Sequence, residues 1–174
     1  MDSRKICILG DFAVGKTSLV RRFVSNQFSD KYLTTIGVKI DTKEVLLDDG
    51  RGLKLAIWDV AGTDSPTELF LRYTRGAAGL LLVADATRAE TLECCIALRD
   101  AVAAQLGPLP YVLLVNKSDL EEQREADAAD ARGLLQDALD WLDTSALTGD
   151  KVEAAFRRLV VGLLDGPDVP GGAG

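Results

Sequence analysis

The 174 residues suit one domain, and a composition of 47% hydrophobic and 27% charged residues excludes a disordered or low-complexity protein. With 20 basic and 27 acidic residues the formal charge is −7, which argues against nucleic acid or an anionic membrane as a partner. The chain has no histidine, so a histidine base and a histidine-ligated metal are both excluded.

The cysteines and the two ends of the chain bear on its compartment. Cys7, Cys94 and Cys95 lack the spacing of a disulfide framework, which is typical of a reduced protein. The first residues lead straight into an apolar run without a signal-peptide pattern, and no cysteine stands near the C-terminus for prenylation. We therefore expect a cytoplasmic chain without a lipid anchor.

Short apolar runs alternate with amphipathic stretches along the sequence. The predicted elements, in chain order, are strand 6–9, helix 19–24, hairpin strands 38–47 and 53–58, strand 80–83, helix 91–106, strand 111–115, helix 126–139, strand 141–142 and helix 152–164. Strands separated by helices predict right-handed crossovers, and hence an α/β fold with a mostly parallel sheet covered on both faces.

We expect six strands, one of them antiparallel, and about five helices. Residues 1–165 are predicted to form this domain, and 166–174 a flexible Gly/Pro tail. In such sheets ligands bind at the carboxyl ends of the strands, so the segments after the strands are the candidate sites.

A phosphate-binding pattern follows the first predicted strand. It matches G-x-x-x-x-G-K-[ST] between a strand and a helix. Backbone N–H groups of such a loop point at a phosphate chain, the lysine adds positive charge near the terminal phosphates, and the hydroxyl can ligate Mg²⁺. The alternative is a tight turn with an incidental lysine. The residues of the pattern are Gly10, Asp11, Phe12, Ala13, Val14, Gly15, Lys16 and Thr17.

A second polar loop, 116–119, follows the strand predicted at 111–115. The Asp119 carboxylate can accept two parallel hydrogen bonds, and guanine offers N1–H and N2–H side by side, whereas adenine has no such pair. Asn116 can brace the loop or read another edge of the base, and the aliphatic part of Lys117 can cover the base. The alternative is an ordinary polar loop.

Between these loops, Asp59 and Gly62 follow the strand predicted at 53–58. A carboxylate at the end of a strand can hold Mg²⁺ through a water molecule. A glycine lets the backbone approach a terminal phosphate and swing away when that phosphate is lost. The alternative is a simple turn.

In their order and spacing, these motifs resemble the small GTPases of the Ras superfamily, over residues 4 to about 164. The resemblance implies a small G domain that binds GTP/GDP and Mg²⁺, with switch regions at about 30–40 and 60–75. It also implies that Phe28 packs on guanine and that N–H groups of the loop 144–146 contact the guanine carbonyl.

The resemblance also implies a role for individual residues. The implied nucleotide ligands are Asp11, Phe12, Ala13, Val14, Gly15, Lys16, Thr17, Ser18, Phe28, Thr35, Gly62, Asn116, Lys117, Asp119, Ser145, Ala146 and Leu147. The implied metal ligands are Thr17, Thr35 and Asp59, and the implied catalytic residues are Lys16, Thr35 and Thr63.

Within the superfamily, the segments 35–37, 54–59 and 73–77 look most like the Rab branch. Rab proteins place three apolar residues on the surface that faces effectors. The matching residues here are Ile40, which replaces the usual phenylalanine, Trp58 and Tyr73, with ordinary packing as the alternative.

The resemblance implies effector and regulatory proteins as partners. The missing lipidation cysteine and the residues 11–14 also resemble bacterial Rab-like GTPases, for which roadblock/longin-type proteins are the implied regulators. We expect a monomer when the chain is isolated.

The sequence departs from the family where hydrolysis is concerned. Thr63 replaces a glutamine that orients water, and Asp64 replaces the glutamate after it. Phe12 stands where relatives have glycine or serine, beside the site of the γ-phosphate, and Leu147 stands where they usually have lysine. The changes at Phe12, Thr63 and Asp64 predict intrinsic hydrolysis at or below about 10⁻⁴ s⁻¹, unless another geometry compensates. We expect Leu147 to weaken packing near the base without abolishing guanine selection.

Two alternatives remain open at this point. Phe12 and Thr63 favour a nucleotide-dependent binding module that does not turn over, a pseudo-GTPase. An ATPase or kinase with the same phosphate loop is the other alternative, against which Asp119 argues.

Overall fold

The computed structural model describes residues 1–29 and 35–166. The described elements are β1 (Ser3–Gly10), α1 (Lys16–Ser25), β2 (Val38–Leu46), β3 (Gly52–Val60), α2 (Glu68–Thr74), β4 (Gly79–Asp85), α3 (Glu90–Leu106), β5 (Tyr111–Asn116), a 3-10 turn (Glu121–Gln123), α4 (Ala128–Leu134), β6 (Asp140–Asp143) and α5 (Val152–Asp165). Two predictions reach beyond these residues: part of the first switch, at 30–34, and all of the tail after Gly166 lie outside the described residues.

The six strands form one sheet in the order β2-β3-β1-β4-β5-β6. Only β2 runs against its neighbour, since β2 and β3 pair antiparallel around a turn with Gly50 at φ 88°, and the remaining pairs are parallel. This arrangement confirms the predicted α/β fold, including the hairpin.

Both faces of the sheet are buried, which explains the continuous apolar runs of the central strands. Along β1, Ile6 and Ile8 face the core beneath α1 and α5, whereas Cys7 and Leu9 face the core beneath α3. The rings of Phe23 and Phe156 stack with centroids 3.9 Å apart and so join α1 to α5. Within residues 1–29 and 35–166, no helix has both the length and the hydropathy to cross a membrane.

The helix predicted at 126–139 is shorter in the structure. Asp127 caps its start, where the side chain accepts from the N–H of Asp130, and the helix ends at Leu134. The Leu135 carbonyl accepts a hydrogen bond from the Trp141 indole instead of continuing the helix, and Leu139 N–H already donates to Tyr111 at the start of β5. The prediction of a longer helix failed because the apolar residues of 135–139 lie in the turn that leads into β6.

Helix α2 was not assigned a position from the sequence. It is short, seven residues, and it begins at Thr67, whose hydroxyl accepts from the N–H of Phe70. Phe70 is its one apolar residue that is fully in the core, so the helix carries little amphipathic signal.

Candidate functional site

The segments that follow four of the parallel strands meet at one edge of the sheet, and three of these segments were singled out above. Parallel pairing sets Gly10 opposite Val83, Ile8 opposite Asp59, and Asp85 opposite Asn116. The carboxyl ends of β1, β3, β4 and β5 therefore lie side by side. The loops that follow them form the candidate site.

The loop after β1 is folded around the side chain of Lys16. Its ammonium donates to the carbonyls of Gly10 at 3.2 Å and Asp11 at 3.0 Å, and the residue is only 6% exposed. Burial lowers the pKa of Lys16, although nearby Asp59 opposes this shift. Ala13 and Gly15 take left-handed conformations, and a Cβ at Gly15 would lie 2.4 Å from Nδ2 of Asn116. A residue with a Cβ would therefore be strained at Gly15, because of the left-handed backbone and the close approach of Asn116 from the loop after β5.

Three oxygens converge beside this loop. Oγ1 of Thr17 lies 2.6 Å from Oδ2 of Asp59 and 2.5 Å from Oγ1 of Thr35, and Thr35 lies 3.1 Å from the same carboxylate oxygen. Asp59 is fully buried, its Oδ1 has no hydrogen-bond partner, and burial raises its pKa.

This set of donors fits Mg²⁺, which prefers oxygen ligands and would satisfy the unpaired oxygen. The described ranges contain no cluster of three or more His, Cys, Asp or Glu residues suited to a metal, so hydroxyl groups are essential to this candidate. The structure thus brings together all three residues expected to hold the metal.

The loop after β5 is braced against the phosphate loop. Asn116 donates to the carbonyl of Val14 at 2.9 Å, and Lys117 donates to the carbonyl of Ala13 at 2.8 Å. The Asp119 carboxylate accepts from the Ser145 hydroxyl at 2.8 Å. Asn116 therefore braces the loop, which was one of its two expected roles, and Asp119 is held by the loop after β6.

The remaining expected nucleotide ligands flank these loops. Ser18 lies in the first turn of α1, and Phe28 follows that helix with a side chain 37% exposed. Ala146 is buried beside Ser145, whereas the Leu147 side chain is half exposed. They lie at the rim of the site, and the contacts of Phe28 within the described residues do not assign it a role.

The side chain of Thr63, one of the three predicted catalytic residues, points back into its own loop. The Thr63 hydroxyl donates to the carbonyl of Ser65, its N–H donates to Gly10 at 3.2 Å, and its carbonyl accepts from the Cys94 thiol at 3.2 Å. A Cβ at neighbouring Gly62 would lie 2.8 Å from Cα of Phe12. The segment at which we expect the second switch to begin therefore lies directly against the phosphate loop.

Two charged residues of the site were missed by the sequence analysis. Asp85, 1% exposed, pairs with Lys117 at 3.0 Å and with Arg88 at 3.2 Å, and Arg88 also donates to the carbonyl of Phe12. Burial alone would raise the pKa of Asp85, but hydrogen bonds from Thr87 and Lys117 outweigh it, so the pKa is lowered. Its position at the end of a buried strand was the signal that could have identified Asp85.

The predicted effector surface lies beside this site. Ile40 and Trp58 face each other across β2 and β3, and Ile40 is 51% exposed. The Lys5 ammonium lies 3.5 Å from the centre of the Trp58 ring and donates to the carbonyl of Arg75, just beyond α2. Tyr73 is partly buried on the same core as Trp58.

Comparison with known proteins agrees with this architecture. Residues 5–165 match the Ras family model. The chain is 38% identical to Ras-related protein Rab-7a of Dictyostelium discoideum, over 89% of this chain and 79% of that protein. It is 36% identical to Ras-related protein RABA4b of Arabidopsis thaliana, over 90% and 70% respectively, and 37% identical to Ras-related protein Rab-25 of Oryctolagus cuniculus, over 90% and 74%. The chain therefore belongs to the Ras family of guanine-nucleotide-binding GTPases, and within it the chain is Rab-like.

Proposed function

We propose that this chain is a GTP/GDP switch that uses Mg²⁺ and hydrolyses GTP slowly without help. The observation that carries the proposal is the convergence of Thr17, Thr35 and Asp59 beside buried Lys16. This arrangement offers oxygen ligands for a cation and a positive charge for phosphate in one place. Asp119, held by Ser145, would accept the hydrogen bonds of the guanine edge.

Bound at these oxygens, Mg²⁺ would neutralise charge on the β- and γ-phosphates. Lys16 is already fixed over the loop carbonyls, so it can stabilise developing negative charge without reorganising. Thr35, in the proposed first switch, contacts the Thr17 hydroxyl, and Gly62, in the proposed second switch, lies against the backbone of Phe12. Loss of the terminal phosphate would remove the group that both switches contact, and partners would read the change.

Slow hydrolysis is supported by the surroundings of Thr63. Its hydroxyl is engaged by Ser65 in its own loop, and its backbone is held by Gly10 and Cys94. A threonine is also shorter than the glutamine of relatives, so it does not orient an attacking water in this conformation. Phe12, 56% exposed, stands where a partner would otherwise supply a catalytic group. A partner that rearranges this loop would therefore accelerate the reaction.

Partners of the GTP-bound form would bind the apolar surface formed by the switches and the strands between them. Ile36 and Ile40 are exposed there, beside partly buried Trp58 and Tyr73. We propose effectors and regulators at this surface, with roadblock/longin-type proteins as candidate regulators, and a monomer in isolation.

The comparisons give no support to the alternative of a pseudo-GTPase.

The test is single-turnover GTP hydrolysis with Mg²⁺ on nucleotide-exchanged protein, for wild type, Thr63→Gln and Phe12→Gly. We expect a wild-type rate at or below about 10⁻⁴ s⁻¹ and at least one faster variant. Thr42→Gln, an exposed position on β2, is the matched control and should not change the rate.

Each outcome addresses a different part of the proposal. Hydrolysis by wild type within minutes would show that Thr63 and Phe12 do not slow the reaction. Slow hydrolysis by all variants would show that other residues limit the rate. Equal binding of ADP and GDP would contradict the guanine switch itself.

A further inference from the structure

Arg22, in the last turn of α1, reaches across to the loop after β6. Its Nε donates to the carbonyl of Ala146 at 2.9 Å, and its Nη2 donates to the carbonyl of Leu147 at 2.6 Å. Its Nη1 lies 3.3 Å from Oδ1 of Asn26, the left-handed residue that ends α1. Among the described residues no carboxylate pairs with Arg22, so its guanidinium serves these neutral acceptors alone.

Hydrogen bonds to two carbonyls of this loop, one of them from Arg22, fix the direction of two backbone N–H groups. In a trans peptide the carbonyl of one residue points opposite to the N–H of the next. The carbonyl of Ser145 accepts from Gly149 at 2.8 Å, which directs the Ala146 N–H to the other side of the loop. The carbonyl of Ala146 is held by Arg22, which directs the Leu147 N–H in the same manner.

The two N–H groups lie next to the predicted guanine reader. In the described part of the chain neither donates to a protein group, whereas Thr148 N–H is bonded to the Ser145 hydroxyl. That same hydroxyl donates to Asp119. The free N–H groups and the acceptor carboxylate thus belong to one small network. The two N–H groups and the Asp119 carboxylate are complementary to the edge of guanine, which has an acceptor oxygen beside two donors.

We propose that Arg22 is a positioning residue for guanine selection, which holds the Leu147 N–H toward the 6-oxygen of the base, beside the Ala146 N–H that the bond between Gly149 and Ser145 directs. The inference rests on the proposed guanine-nucleotide function. Leu147 has no polar side chain to hold this loop, so the guanidinium is what fixes its carbonyls from outside. Arg22 acts on the 6-oxygen side of guanine, whereas Asp119 acts on the N1 and N2 side.

Two nucleotide analogues distinguish the role of Arg22 from that of Asp119. In 6-thio-GDP, sulfur, a weaker acceptor, replaces the 6-oxygen, while N1–H and the 2-amino group remain. In IDP the 6-oxygen remains and the 2-amino group is missing. Loss of the positioned Leu147 N–H should therefore lower the preference for GDP over 6-thio-GDP and leave the preference for GDP over IDP unchanged.

The experiment measures dissociation constants of GDP, 6-thio-GDP and IDP for the full chain with Mg²⁺, in wild type, Arg22→Gln, Arg22→Lys and Arg21→Gln. We expect Arg22→Gln to bind GDP about tenfold more weakly, because two charge-assisted hydrogen bonds to the loop are lost. The ratio of its dissociation constant for 6-thio-GDP to that for GDP should fall toward one, while the ratio of the constant for IDP to that for GDP should not change. Arg22→Lys reaches fewer acceptors and should be intermediate.

Arg21→Gln removes the neighbouring charge on α1 and should behave as wild type. An unchanged GDP to 6-thio-GDP ratio in Arg22→Gln would overturn the inference, even if all affinities fell together, because that result indicates loss of stability alone. If Arg22→Gln does not fold, an unchanged ratio in Arg22→Lys overturns it equally. Failure of wild type to bind GDP would instead overturn the proposed function.

Discussion

The ammonium of Lys117 lies 3.0 Å from the carboxylate of Asp85 and 2.8 Å from the carbonyl of Ala13. Asp85 also pairs with Arg88, which donates to the carbonyl of Phe12. One buried carboxylate at the end of β4 therefore holds two cations, and each cation holds one carbonyl of the phosphate loop. The loop after β5 and the phosphate loop are therefore connected through Asp85.

Asp85→Asn should weaken nucleotide binding and stability together. The amide keeps the shape of the side chain but leaves Lys117 and Arg88 without their shared negative charge. We expect GDP to dissociate about tenfold faster and the free energy of unfolding to fall by about 2 kcal/mol. Stopped-flow nucleotide exchange and urea unfolding measure the two effects. Asp48→Asn, at a fully exposed partner of Arg157, is the control and should change neither quantity.

The stability difference between wild type and Asp85→Asn should also depend on pH. The folded pKa of Asp85 is lowered, so its contribution is present above the ordinary aspartate pKa and is lost as the pH falls through the folded value. The difference should therefore shrink below about pH 4. A difference that stays constant from pH 7 to pH 3 would contradict this assignment.

Gly62→Ala tests the contact between the second switch and the phosphate loop. A methyl group there would lie 2.8 Å from Cα of Phe12 and 3.0 Å from the carbonyl of Asp11, so this segment would be forced away. We expect the fluorescence of nearby Trp58 to differ less between the forms bound to GDP and to a non-hydrolysable GTP analogue. In Gly133→Ala the added methyl meets open space, so the wild-type difference should remain. A full response in Gly62→Ala would show that this contact is not part of the switch.

The sequence was sufficient for the parts of the fold that follow from periodicity. The buried strands, the hairpin and three of the helices were predicted because apolar spacing and turn residues agree there. Helix α2 and the C-terminal end of α4 were not predicted correctly. Phe70 is the only fully buried apolar residue of α2, and Leu135 is buried in a turn, so spacing gives no reliable boundary in either place.

The candidate site shows a similar division. Residues in spaced motifs, such as Thr17, Asp59 and Asp119, lie where the motifs predict. Arg22 and Asp85 act through contacts with residues distant in sequence, and such contacts exist only after folding. The engagement of the Thr63 hydroxyl by Ser65 was likewise not predictable, because it depends on the local path of the loop.

Phe156→Ala should be among the most destabilising substitutions in the chain. The ring is fully buried and stacks on Phe23 between α1 and α5. Its removal leaves a cavity on one face of the sheet, and we expect a loss of about 3–5 kcal/mol in the free energy of unfolding, measured with urea. Leu134→Ala, at an exposed position, should cost less than about 0.5 kcal/mol. Similar losses in the two variants would contradict the assignment of this core.

The three cysteines should react slowly with thiol reagents in the folded protein. Burial raises the pKa of Cys94 to about 11 and that of Cys7 to about 12, and it raises the pKa of Cys95 further. Because the thiolate is the nucleophile, only about one Cys94 thiol in a thousand is reactive at pH 8. Ellman's reagent should therefore titrate less than one thiol within minutes at pH 8 and all three in denaturant.

The same experiment at higher pH separates ionisation from access. Between pH 8 and pH 9 the native rate should rise about tenfold, because the thiolate fraction rises in that proportion well below the pKa. Cys94→Ser should remove most of the native reaction, since Cys94 has the least raised pKa of the three and lies at the edge of the site, where it donates to Thr63. Rapid reaction at pH 8, unaffected by Cys94→Ser, would show that Cys7 or Cys95 is exposed by an opening of the core that the packed structure does not contain.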